Sequence, residues 1–81
     1  MTEAEGEEEP PLYLAARLGN EQITRLLLQS GAEVNVRTYD DQSTALHAAV
    51  ENGHDRVAAP LLSHSGILPH VENRYGYTPI F

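Results

Sequence analysis

Four histidines, His47, His54, His64 and His70, carry the widest chemical repertoire in this 81-residue chain. Imidazoles four apart on one helix, or joined by thiolates, would hold a metal ion. None of the four has that spacing, and the chain has no cysteine, so neither a metal centre nor a disulfide is expected. His47 follows Thr44 by three residues, which suits a hydrogen bond at a helix start better than a ligand role. Ser30, Ser43, Ser63 and Ser65 fall near turns and outside any Gly-x-Ser-x-Gly elbow, so no nucleophile is set up. The six glycines are dispersed and no lysine is present, which leaves no phosphate-cradling loop. The expectation is a protein that is not an enzyme and carries no cofactor.

Composition narrows the field further. Twelve acids against five arginines give a formal charge of −7. Glu3, Glu5, Glu7, Glu8 and Glu9 crowd the first nine residues, so the remainder holds seven acids against five arginines. A block of like charge without apolar residues repels itself, and residues 1–9 are predicted to be a disordered acidic tail. A solvated terminus is the reading adopted for it, over an arm that engages a basic partner. With five scattered arginines there is no patch to neutralise phosphates, so nucleic acid is not an expected partner. No signal-peptide layout opens the chain and no apolar run nears membrane-spanning length. No membrane partner is expected, and the expected location is intracellular, cytoplasmic or nuclear.

The organisation of the chain lies in an internal echo. Thr44-Ala45-Leu46-His47-Ala48-Ala49-Val50-Glu51-Asn52-Gly53-His54 matches Pro10-Pro11-Leu12-Tyr13-Leu14-Ala15-Ala16-Arg17-Leu18-Gly19-Asn20, and Thr78-Pro79-Ile80-Phe81 opens the pattern again. The offset is 34 residues each time, from Pro10 to Thr44 to Thr78. Self-similarity at such a period implies stacked units. Thr44 is placed to cap one helix, and Gly19 and Gly53 to end two, because glycine readily takes the left-handed conformation of a helix stop. Leu46, Ala49 and Val50 mark a buried face kept thin by alanines. A second helix is predicted over Glu21–Gln29, with Ile23, Leu26, Leu27 and Leu28 as a broad apolar face. Glu33 to Arg37 then reads as extended, followed by a polar turn over Thr38–Ser43. Pro60 replaces Leu26 in the second copy. The expectation there is a lost core leucine and a kinked or shortened helix between Asp55 and Ser63.

Thr-Ala-Leu-His-Ala-Ala, two variable residues, Gly-His, an aliphatic helix and Ser-Gly-Ala-Glu-Val-Asn together resemble the ankyrin repeat. The resemblance implies an all-α, ankyrin-like α-solenoid of paired antiparallel helices with hairpin-like connecting loops. Residues 10–43 form a first repeat, 44–77 a second and degenerate one, and 78–81 the start of a truncated third. Each copy holds one residue more than the usual unit of about 33. The extra residue is placed in Thr38–Ser43 of the first copy and around Ser63–Ser65 of the second. With two copies and a stub, the C-terminal end is expected to expose the apolar side of the second repeat.

The resemblance also implies binding of another protein through a concave surface of hairpins and inner helices. Here that surface is Arg37, Thr38, Tyr39, Asp40 and Asp41, then Arg74, Tyr75 and Tyr77, joined by Arg17, Leu18, Glu51 and Asn52. Tyrosine and arginine are enriched at interface hot spots; equally, Tyr39 and Tyr75 could pack on adjacent hairpins. The other partners implied are further ankyrin repeats of a longer chain, with this stretch as a terminal piece. His54 is implied to tie the helix-to-helix turn to backbone. Asn35 resembles an asparagine hydroxylation site of such repeats, but its side chain suits the turn, and that role is the one adopted.

Overall fold

The computed structural model describes residues 9–79, and the expectations for residues 1–8, Ile80 and Phe81 lie outside the described part. Four helices follow in order: α1 (Pro11–Leu18), α2 (Glu21–Gln29), α3 (Ala45–Glu51) and α4 (Asp55–Ser63). Helices of seven to nine residues do not persist alone in water, so packing must hold them. α1 packs on α2 and α3 on α4, while α1 meets α3 and α2 meets α4. The result is two stacked helix pairs, with α1 and α3 as one layer and α2 and α4 as the other. No strand occurs among the described residues.

Each pair is folded back by a short link whose chemistry is visible in the residues. Gly19 stops α1 at φ +78°, and Asn20 then caps α2 by accepting from the Ile23 N–H at 3.0 Å. Proline at the start of α1 replaces an N–H that would lack a helical partner anyway. Thr44 and His47 form a reciprocal box at the start of α3. The Thr44 hydroxyl accepts from the His47 N–H at 3.4 Å, and His47 Nδ1 accepts from the Thr44 N–H at 3.0 Å. The second imidazole nitrogen lies 2.8 Å from the Tyr77 carbonyl. With Nδ1 accepting, Nε2 carries the proton and donates, so the buried ring is fully partnered.

The core is one cluster of Leu12, Ala16, Val34, Ala45, Leu46, Ala48, Ala49, Val57 and Leu61. Alanines on α3 let α1 approach closely, and the larger Leu46, Val57 and Leu61 fill the space between layers. Side-chain hydrogen bonds also join the two pairs. His54 Nε2 meets the Arg17 carbonyl at 3.1 Å, so it reaches back to the preceding pair. The Asn35 amide donates to the Gly66 carbonyl at 2.8 Å and accepts from the Leu68 N–H at 2.9 Å. Asn73 donates to the Ser43 hydroxyl at 3.4 Å.

Several expectations are corrected here. The apolar face of α2 is narrower than its sequence suggests: Leu27 and Leu28 pack on the core, but Ile23 and Leu26 are exposed, and Thr24 is the buried residue. The Thr24 hydroxyl is satisfied by the Asn20 carbonyl at 2.8 Å, which makes its burial inexpensive. Pro60 therefore occupies the position of an exposed leucine, and no core leucine is lost. Nor is α4 shortened, since it spans nine residues, as α2 does. Residues 33–37 are not extended throughout, because a turn at Val34–Asn35 brings the Val36 N–H to the Glu33 carbonyl at 3.3 Å.

The helix still lacks the hydrogen bond that residue 60 would give to the Arg56 carbonyl. Pro60→Leu is expected to restore it and to raise the thermal midpoint. Proline in a helix interior costs about 3 kcal/mol, and each kcal/mol recovered is worth roughly 4–8 °C in a domain of this size. Calorimetry of the two proteins checks this, and an unchanged or lowered midpoint would show that the backbone at 60 is already relaxed.

Candidate protein-binding surface

The turns that link one pair to the next project beyond the helices. The first closes when the Thr38 N–H donates to the Ser43 carbonyl at 2.8 Å, and the second when the Asn73 N–H donates to the Tyr77 carbonyl at 2.9 Å. Counted by those bonds, the first turn has one residue more than the second. Both pass through the left-handed region, at Gln42 (φ +59°) and Gly76 (φ +81°). Gln42 is the sole non-glycine residue with positive φ among the described residues, and its side chain donates to the Tyr39 carbonyl at 3.0 Å. That local bond helps to hold a conformation which glycine adopts without strain.

Most of the surface residues implied by the resemblance are exposed. Tyr39, Tyr75 and Tyr77 are 68%, 63% and 60% accessible. Arg37, Asp40 and Arg74 are exposed and Asp41 is half-buried. Thr38 departs from the set: it is buried, and its hydroxyl accepts from the Ser43 N–H at 3.1 Å, so it closes the turn. Leu18 is exposed, but apart from the turns: it lines a hollow at the N-terminal end of the stack with Leu14, Ile23 and Leu27. Arg17 pairs with Glu9 at 2.9 Å, and the Asn52 amide donates to the Ala48 carbonyl at 2.8 Å, which leaves Glu51 the open charge of the four among the described residues.

The two turns are bound to each other. The Arg74 N–H donates to the Asp41 carbonyl at 2.7 Å, and the Tyr75 hydroxyl donates to the Asp41 carboxylate at 3.3 Å. The Tyr75 and Tyr77 rings lie 6.5 Å apart, tilted by 40°. Tyr75 thus reaches the adjacent turn through its hydroxyl while its ring stays open to solvent. Among the described residues Tyr39 makes no such contact.

A residue that sequence reasoning passed over is Tyr13 on α1, which stands at the register position of His47 and is half-buried. Its phenol titrates above the ordinary 10.0, first because of burial, then because of the carboxylates of Glu9, Glu51 and Asp41, with Arg17 opposing. The neutral phenol is therefore favoured by folding. Its contribution to stability is complete below pH 10.0 and is lost as pH rises through the higher folded value. Tyr13→Phe is expected to flatten the loss of stability above about pH 10, measured by urea unfolding at pH 9 and pH 11.

The comparisons with known proteins agree with this architecture. The family model described as ankyrin repeats (3 copies) matches residues 1–73. Mouse Rabankyrin-5 is 40% identical over 83 residues, covering 96% of this chain and 7% of that protein. The putative ankyrin repeat protein FPV031 of fowlpox virus is 37% identical, covering 86% of this chain and 20% of that protein. The crystal structure of the human ASB11 ankyrin repeat domain superposes with a TM-score of 0.80 at 31% identity, over 88% of this chain and 31% of that one. The chain belongs to the ankyrin repeat family. It spans a fifth or less of the length of these two relatives. Among the described residues no helix is long and apolar enough to cross a membrane.

Proposed function

We propose that the chain is a protein–protein interaction module whose repeats span 10–43 and 44–77, with 78–81 opening a third. The binding surface is built from Arg37, Tyr39, Asp40 and Asp41 of one turn and Arg74, Tyr75 and Tyr77 of the next. Thr38 supports it from below. The observation that carries this reading is the pair of tips crowned by three open tyrosines and fixed to each other by the Arg74–Asp41 backbone bond and the Tyr75–Asp41 side-chain bond. Rigid aromatic groups at tips lose little conformational freedom on docking. Catalysis has no part in this reading, and an intracellular setting in cytoplasm or nucleus suits it.

The test is capture of a specific partner by the full chain, by Tyr39→Ala and by Tyr75→Ala. Capture weakened about tenfold or more, at an unchanged thermal midpoint, supports the reading, since hot-spot truncations cost about 2 kcal/mol or more. Capture that survives both changes sinks it.

A second reading, a piece of a longer array, is favoured by a register comparison. In α3 and α4, Ala48 and Val57 are buried against the first pair; 34 residues earlier, Leu14 and Ile23 are 38% and 42% exposed. The same face is covered in one pair and bare in the other. Unfolding that becomes cooperative only after further repeats are appended would decide for this reading.

A further inference from the structure

The exposed turn between α3 and α4 holds Asn52-Gly53, the sole asparagine–glycine pair in the chain. We infer that Asn52 is a site of spontaneous deamidation, restrained by the last turn of α3. This goes beyond the interaction reading and does not depend on it.

The chemistry needs only these two residues and water. The Gly53 nitrogen gives its proton to hydroxide and bonds to the carbonyl carbon of the Asn52 side chain. The bond from that carbon to the amide nitrogen breaks, and ammonia leaves with a proton taken from water. Water then opens the five-membered imide at either of its carbonyls. One opening leaves aspartate; the other leaves isoaspartate, whose main chain runs through the former side chain. Glycine favours closure because no Cβ crowds the attacking nitrogen. The other asparagines, Asn20, Asn35 and Asn73, precede Glu21, Val36 and Arg74 instead.

Two hydrogen bonds restrain the step. The Asn52 amide donates to the Ala48 carbonyl at 2.8 Å, and the Gly53 N–H donates to the Val50 carbonyl at 3.1 Å. Ring closure must release both and turn Asn52 out of its place as the cap of α3. Both residues are exposed, so water reaches them as soon as that turn opens. Leu18, 34 residues earlier, stays 63% exposed with a second pair stacked on its own. By register, the Asn52 position stays open in a longer stack as well.

The product acts on the joint between the pairs. A carboxylate at 52 replaces the donor to the Ala48 carbonyl with an anion at the carbonyl end of α3, beside Glu51. Isoaspartate also adds a methylene to the main chain just before His54, whose ring meets the Arg17 carbonyl at 3.1 Å.

Peptide mapping of the full chain aged at pH 8, in native buffer and in guanidinium chloride, tests this. Isoaspartyl methyltransferase labelling identifies the isoaspartate product. Conversion is expected at Asn52 ahead of Asn20, Asn35 and Asn73 in both solvents. It should run roughly tenfold or more faster in guanidinium, where two hydrogen bonds of ordinary strength are lost. Asn52→Gln should abolish the labelling, and the converted native fraction should melt below the unconverted one. Conversion no faster at Asn52 than at the other asparagines, equal rates in the two solvents, or none in native buffer would overturn the inference.

Discussion

Leu61→Ala is expected to lower stability by about 2–5 kcal/mol, while Leu62→Ala, one residue further along α4, should cost under about 1 kcal/mol. Leu61 is fully buried in the cluster shared by both helix pairs, and Leu62 is 43% exposed. Deleting the buried side chain removes its transfer energy and leaves a cavity that short helices refill poorly. The scale of the total decides how serious this is. At about 0.05–0.15 kcal/mol per residue, a chain of this size has on the order of 4–12 kcal/mol to lose. A drop in midpoint of roughly 10–30 °C follows for Leu61→Ala. Urea unfolding of both variants measures it, and equal losses at the two positions would contradict the packing described.

Gly19→Ala is expected to cost about 2–4 kcal/mol, and Gly53→Ala only about 1 kcal/mol. Both glycines have left-handed φ, at +78° and +71°, so both alanines share the backbone strain. They differ in what a Cβ would meet. At Gly19 it would lie 2.8 Å from the His54 ring, whereas at Gly53 nothing lies within 4 Å. The His54 ring would have to move and release the Arg17 carbonyl, which joins the two pairs. Adding His54→Ala to Gly19→Ala should therefore recover part of the excess loss. A double variant no more stable than the additive sum would show that strain in φ, not the ring, sets the difference.

These two residues also mark how far the sequence can be read. Gly19 was legible as a helix stop, because a glycine closing an apolar stripe has one common explanation. Its second role, as the floor on which His54 rests, was not, because that contact joins residues 35 apart in the chain. The Thr44–His47 box could be anticipated from a spacing of three, whereas the tie from His47 to Tyr77 could not. The faces of α2 show the main limit. Periodicity identifies which residues share a stripe, but neighbours decide which of them is covered. Ile23 and Val57 occupy the same place in the pattern, and only Val57 has a helix pair against it. The resemblance places Leu18 with the inner-helix surface, and in the structure it lines the hollow at the N-terminal end of the stack. Thr38 faces inward because one residue of a tight turn must close it, which its place in a polar turn does not reveal.

The hydrogen bond from His47 to the Tyr77 carbonyl, within the second repeat, has a mechanical meaning. It anchors the last described turn to the buried start of α3. A pull on the C-terminal end would load this hydrogen bond before any helix, and its rupture would uncover the imidazole and the Thr44 cap together. α3 would then lose its starting point, and α4, bound to the core through Val57 and Leu61, would peel with it. The first pair, deprived of its single covered face, would follow without a pause. Under tension the molecule should therefore yield in one step from its C-terminal end.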